Sequence, residues 1–131
     1  MNRKRILVVD DEQEIAEQVK LTLEENGYEV TVAFEGQEAL EKARNDIPDL
    51  MILDIMLPKM DGYRVCALLK KDARYAAIPI ILFTGKAHEE DHKMSEEAGA
   101  DAYLTKPFEA SALLSKIEKL TAKPSTFPFP G

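Results

Sequence analysis

Asp49-Leu50-Met51-Ile52-Leu53-Asp54 holds an apolar run of four residues that ends in a carboxylate. Bounded by polar residues, such a run reads as a fully buried parallel strand. An aspartate at its C-terminal end stands at the rim of the sheet, where open α/β folds place their ligands. Taken alone, Asp54 is either a reactive group or only the strand's polar stop. Similar runs flank it at regular intervals. Arg5 to Asp10 is apolar on both faces, and Tyr28 to Ala33 is a strand with Val30 and Val32 alternating. Downstream, Ile78 to Phe83 is the most apolar stretch of the chain, and Asp101 to Thr105 is a short last strand.

Helical patterns fill the intervals. Asp11-Glu12-Gln13-Glu14 opens the first, because acidic residues favour a helix N-terminus, and Ile15, Val19 and Leu23 form its buried stripe. Asn26-Gly27 ends it, glycine being suited to the left-handed cap position. Glu35-Gly36 starts a second helix with Ala39, Leu40 and Ala43 inward, closed by Asn45 to Pro48. After a loop from Ile55 to Met60, Asp61 caps a third helix whose inner face is expected at Val65, Leu68 and Leu69. A fourth spans roughly Ala87 to Ala98, with Ala87, Met94 and Ala98 as its candidate core residues, so weak packing and an adjustable position are expected. The last helix turns Leu113, Leu114, Ile117 and Leu120 inward. Five βα units imply a parallel sheet with helices on both faces, and right-handed crossovers favour the flavodoxin-like strand order 2-1-3-4-5. The expected domain is 1–122. Residues 123–131 contain three prolines and read as a tail or the start of a linker.

At 131 residues the chain is about one domain, large enough to bury a core without staples. Its net charge of -7 argues against a nucleic-acid surface of its own. The single cysteine, Cys66, cannot form an internal disulfide and reads as a small, partly buried residue of the third helix. The N-terminal apolar run is too short for a signal peptide or a membrane span, and a cytoplasmic location is expected.

In a parallel sheet all C-terminal strand ends share one edge. Asp10 and Asp11 follow the first strand, Asp54 the third, Thr84 the fourth and Lys106 the fifth, while Glu35 follows the outer second strand. Each has a plain reading as a helix start, strand stop, turn or helix-opening Lys-Pro. Together, three carboxylates in one crevice demand a positive occupant, and a hard cation with few protein ligands suits Mg²⁺ better than Ca²⁺. With the Lys106 ammonium and the Thr84 hydroxyl they form an anion-receiving site, with Asp54 as nucleophile and an aspartyl phosphate as product.

These residues stand in motifs. Ile6 to Glu12, Leu53 to Gly62, Phe83-Thr84-Gly85 and Gly99 to Phe108 together resemble the receiver (phosphoacceptor) domain of two-component response regulators, from about residue 4 to 121. The resemblance implies that Asp54 accepts a phosphoryl group from a histidine kinase or a phosphotransfer protein. It implies that Asp11, Asp54 and the Met56 backbone carbonyl ligate Mg²⁺, with Asp10 acting mainly through a metal-bound water. Thr84 and Lys106 would contact the phosphoryl oxygens, the Lys106-Pro107 peptide would be cis, and Tyr103 would be the aromatic switch that follows Thr84. The domain would not be a general enzyme, catalysing only its own phosphorylation and slow dephosphorylation. Helix four, strand five and helix five would form the output surface toward an effector domain or protein. The dimer state is left open, a homodimer included. Two positions after the acceptor and after the threonine stand Met56 and Lys86, neither able to orient an attacking water, so a phosphoryl state lasting minutes or longer is expected.

Three rivals compete. His88-Glu89-Glu90-Asp91-His92 matches the zinc-protease pattern H-E-x-x-H, but on an acidic, poorly apolar helix where surface solvation is the expected role. A phosphatase or phosphotransferase with an aspartyl intermediate would resemble Asp-x-Asp-x-Thr after the strand, with a second acidic residue where Met56 stands. A receiver-like interaction module without phosphorylation is opposed by the intact Asp11, Asp54, Thr84 and Lys106 set.

Overall fold

In the computed structural model, which describes residues 3–85 and 89–122 (the side chains of 89–92 excepted), strands and helices alternate strictly. The order is β1 (Arg5–Val9), α1 (Gln13–Glu25), β2 (Glu29–Ala33), α2 (Gly36–Asn45), β3 (Leu50–Asp54), α3 (Gly62–Lys70), β4 (Ile80–Thr84), α4 (Glu89–Ala98), β5 (Ala102–Thr105) and α5 (Ala110–Thr121). The five strands form one parallel sheet in the order β2-β1-β3-β4-β5, the flavodoxin-like arrangement expected from the sequence. The order puts β3 at the centre, and all five of its residues are buried.

Side chains alternate across a strand, so each strand feeds two cores. Leu7, Val9, Met51, Leu53, Ile80 and Leu82 pack with Ala39, Leu40 and Ala43 of α2, Val65, Cys66 and Leu69 of α3, and Ala98 of α4. Ile6, Val8, Leu50, Ile52, Ile81 and Phe83 pack on the other face with Val19 and Leu23 of α1 and Leu113 and Ile117 of α5. The chain winds outward from β1 to β2, then crosses back to β3, and right-handed crossovers therefore put α2, α3 and α4 on one face and α1 on the other. Helix α5, which follows the last strand, packs on the α1 face through Leu113 and Ile117.

Local chemistry sets the ends of the elements. Gly27, at φ +90°, follows the Asn26 C-cap of α1, in a region that side chains with a Cβ rarely adopt. The Asp61 side chain accepts a hydrogen bond from the Arg64 N–H at 2.9 Å and caps α3. β4 begins at Ile80 rather than Ile78, since Pro79 has no N–H to give a ladder.

Three inward assignments differ from expectation. Leu68 is 37% exposed, because the buried stripe of α3 runs through Val65, Cys66 and Leu69 and leaves Leu68 at its margin. Cys66 is fully buried rather than partly so. On α4, Met94 is 46% exposed and its place is taken by Ser95, which with Ala98 one turn on faces the core. Ala87 lies outside the described residues, as do His88 and the tail 123–131. Among its described residues α4 therefore buries only small side chains. No described helix is long and apolar enough to cross a membrane.

Candidate functional site

Asp54 is the last residue of β3 and is only 3% exposed, while Asp10, directly after β1, is fully buried. Two buried carboxylates on neighbouring strand ends repel each other, and the structure answers with an ammonium. Lys106, just beyond β5, donates from Nζ to Asp10 Oδ2 and to Asp54 Oδ2, both at 3.0 Å. Its backbone N–H donates to the Thr84 carbonyl at 2.7 Å, which continues the β4–β5 pairing past Thr84↔Thr105 and fixes where the side chain starts. The Lys106–Pro107 peptide is cis. The remaining carboxylate oxygens are held by local backbone: Glu12 N–H donates to Asp10 Oδ1 and Met56 N–H to Asp54 Oδ1, each at 2.9 Å.

The electrostatics follow from this packing. Burial pushes the Asp10 carboxyl up, and the bonds from Glu12 N–H and Lys106 oppose but do not cancel that rise. Burial pulls the Lys106 ammonium down, yet its hydrogen bonds to Asp10 and Asp54 and their charges outweigh the loss and leave it above the ordinary lysine value.

The strand ends thus bring together Asp10, Asp54 and Lys106, with Thr84 at the end of β4 beside them and 1% exposed. Tyr103 is half-buried and packs against the core on the α2–α4 face. It pairs in register with Leu82, and Thr84 lies two residues beyond Leu82, so alternation puts Thr84 and Tyr103 on the same face of the sheet. Met56 is 73% exposed at the mouth of the site. Lys86 lies outside the described residues, and so do the His88 and His92 side chains of the H-E-x-x-H match.

The oxygen cluster contains a residue that the sequence reading missed. Carboxylate oxygens of Asp10, Glu12 and Asp54 lie within 4.8 Å of one another, a group suited to a hard cation, whereas exposed Asp11 is not part of it. Glu12 was read only as part of an acidic helix opening. The signal that could have found it is the local turn, which points the Glu12 N–H back at Asp10 and brings its side chain over the site.

Fold and site together define a class, and residues 6–118 match the response regulator receiver domain family: the chain belongs to it. Over 117 residues it is 43% identical to the alkaline phosphatase synthesis transcriptional regulatory protein PhoP of Bacillus subtilis, covering 89% of this chain and 48% of that protein. Among solved structures, it resembles the chemotaxis response regulator CheY4 of Vibrio cholerae with a TM-score of 0.85 and 32% identity, covering 91% of this chain and 99% of that one. The receiver domain of a signal transduction histidine kinase from Syntrophus aciditrophicus gives a TM-score of 0.87 and 35% identity, over 98% and 97% of the two chains. The chain spans about half the length of the curated relatives it matches.

Proposed function

We propose that Asp54 accepts a phosphoryl group from a phosphohistidine on a histidine kinase or phosphotransfer protein. The observation that carries this reading is the Lys106 ammonium at 3.0 Å from both buried carboxylates, a point charge set where phosphoryl oxygens would arrive. An Asp54 carboxylate oxygen attacks phosphorus and the P–N bond breaks. The bonding pair stays on the imidazole nitrogen, which takes a proton from solvent, and an acyl phosphate remains on Asp54. Lys106 and the Thr84 hydroxyl receive the phosphoryl oxygens. The oxygens of Asp10, Glu12 and Asp54 fit a hard cation such as Mg²⁺. Asp54 and the Met56 carbonyl would hold it directly and Asp10 through water, with Asp11 joining only once its exposed side chain turns inward. When bound it neutralises charge on the transferring group.

Added charge and acceptor oxygens then draw Thr84 inward and open space for Tyr103, on the same face. Small buried side chains on α4 make it the element most easily biased, so α4, β5 and α5 form the output surface by population shift. The partner is an effector domain or protein, with a homodimer as one arrangement of the same surface, and the site of action is the cytoplasm. This acidic domain itself does not contact nucleic acid. It turns over no other substrate and catalyses only its own phosphorylation and slow dephosphorylation. With Met56 offering no water-orienting group, the phosphoryl state lasts minutes or longer, and a decay half-time of a few seconds would contradict that.

Mass spectrometry after acetyl phosphate and Mg²⁺ tests the assignment. One phosphate adduct is expected on the wild type and none on Asp54→Ala. An adduct that survives the substitution rejects it.

A further inference from the structure

We propose that Phe83 is a positioning residue for this phosphoryl transfer, the face of its ring seating the Lys106 ammonium while that group changes hydrogen-bond partners. The inference rests on the phosphoacceptor reading of Asp54 and deepens it. Lys106 Nζ lies over the Phe83 ring, 5.7 Å from the centroid, inside the roughly 6 Å reach of a cation–π contact. Phe83 is fully buried, so the contact is on the desolvated side of that range. The Phe108 ring packs on Phe83 with centroids 4.7 Å apart and planes tilted by 36°, which sets the direction the ring face points. Phe83 is also the register partner of Asp54 across β3 and β4, so acceptor and ring sit side by side beneath the same lysine.

The ring has a task the carboxylates cannot perform. Lys106 holds Asp54 Oδ2 before transfer, but afterwards one Asp54 oxygen is bonded to phosphorus and the negative charge has moved out to the phosphoryl oxygens. The Asp54 contact is directional and must be exchanged. Attraction to a ring face has no single acceptor atom, so the ammonium can slide from Asp54 toward the phosphoryl group without leaving its seat. An aliphatic residue could occupy the core beside Ile52 and Leu113 but would offer no such face.

Replacing Phe83 by mono-, di- and trifluorophenylalanine tests this, because fluorine drains the ring face and nearly preserves its shape. Phosphorylation by acetyl phosphate with Mg²⁺ is expected to slow stepwise, by about 5-fold across the series, while the urea midpoint stays put. Phe83→Leu should be at least as slow as the trifluoro protein. Rates that are flat across the series overturn the proposal. Nuclear Overhauser contacts between the Lys106 ε-methylene and the Phe83 ring give an arm independent of phosphorylation: their presence supports the seat, their absence removes it. A wild-type protein that takes no phosphate on Asp54 would instead defeat the functional reading, with the NMR arm still deciding whether the ring holds the lysine.

Discussion

Gly62→Ala is expected to damage the domain and its site together. A Cβ on Gly62, the first residue of α3, would lie 2.3 Å from the Asp54 carbonyl oxygen, 2.7 Å from Ile55 Cα and 2.9 Å from the Asp54 carbonyl carbon. Cβ contacts below 3.0 Å are essentially never found, so moving from 2.3 Å to that limit requires a shift of at least 0.7 Å. All three obstacles are backbone of the acceptor strand and its continuation, and none can swing aside like a side-chain tip. Overpacking of this kind costs about 1–3 kcal/mol, and backbone obstacles place it at the upper end. Lower unfolded-state entropy returns about 0.4–1 kcal/mol, for a net loss near 2 kcal/mol. With a urea dependence of about 1–3 kcal/mol per molar, the midpoint should fall by roughly 1 M. The same shift displaces Asp54, the proposed nucleophile, and a misplacement approaching 1 Å costs on the order of 100-fold in rate, so phosphorylation should slow by about 10- to 100-fold. Gly85→Ala, whose Cβ would meet nothing within 4 Å, is the stability control. A Gly62→Ala protein with a midpoint within about 0.3 M of wild type and a rate within about twofold would refute the close-approach argument.

Two further outcomes follow from the buried Cys66 thiol and the half-buried Lys70 ammonium. Burial pushes the Cys66 thiol up to about 11, against an ordinary value of 9.0. Between those pH values the unfolded thiol ionises and the folded one keeps its proton, so stability falls as pH rises through the window, by about 2–3 kcal/mol at most. In urea melts the advantage of wild type over Cys66→Ala should shrink accordingly from pH 8 to about 11, and a constant gap would contradict the shift. At the opposite end of the sheet, Lys70 Nζ donates to the Ala76 carbonyl at 3.1 Å, the Ile78 carbonyl at 2.6 Å and Asp101 Oδ2 at 2.8 Å, while Asp101 Oδ2 also accepts from the Ile80 N–H at 2.8 Å. Lys70→Met should cost about 1–2 kcal/mol by removing three hydrogen bonds, a loss moderated because Asp101 keeps its bond from the Ile80 N–H and water reaches the partly exposed pair. A double-mutant cycle with Asp101→Asn should show about 1 kcal/mol of coupling, and none would mean the two act separately.

Strands β1, β3 and β4 were readable because strands buried on both faces appear as unbroken apolar runs, and the polar residues at their C-terminal ends, Asp10, Asp54 and Thr84, came with them. The rotation of α4 was not. With few apolar residues the period leaves the helix free to turn about its axis, and Met94 looked inward only because it is apolar. Leu68 failed for a related reason, as a stripe with three better candidates on α3 has no room for a fourth. Glu12 was hidden by type, since an exposed acid beside two others reads as a helix start. The Phe83–Lys106 contact and the tight seat of Gly62 depend on crossings between distant segments, which no local pattern encodes.

The bond between Lys106 and the two carboxylates also bears on how the protein is made. Lys106 lies 96 residues after Asp10 and 52 after Asp54, on the far side of β5. Synthesis proceeds from the N-terminus, so both acids emerge long before their counter-charge, and contacts of such long sequence separation close late in folding. On the phosphoacceptor reading proposed for Asp54, a nascent chain has its acceptor but no ammonium to receive phosphate until β5 pairs with β4. The same reading makes an unfinished or C-terminally truncated chain a poor substrate for a phosphodonor, so that competence to carry a signal would arrive only with the completed domain.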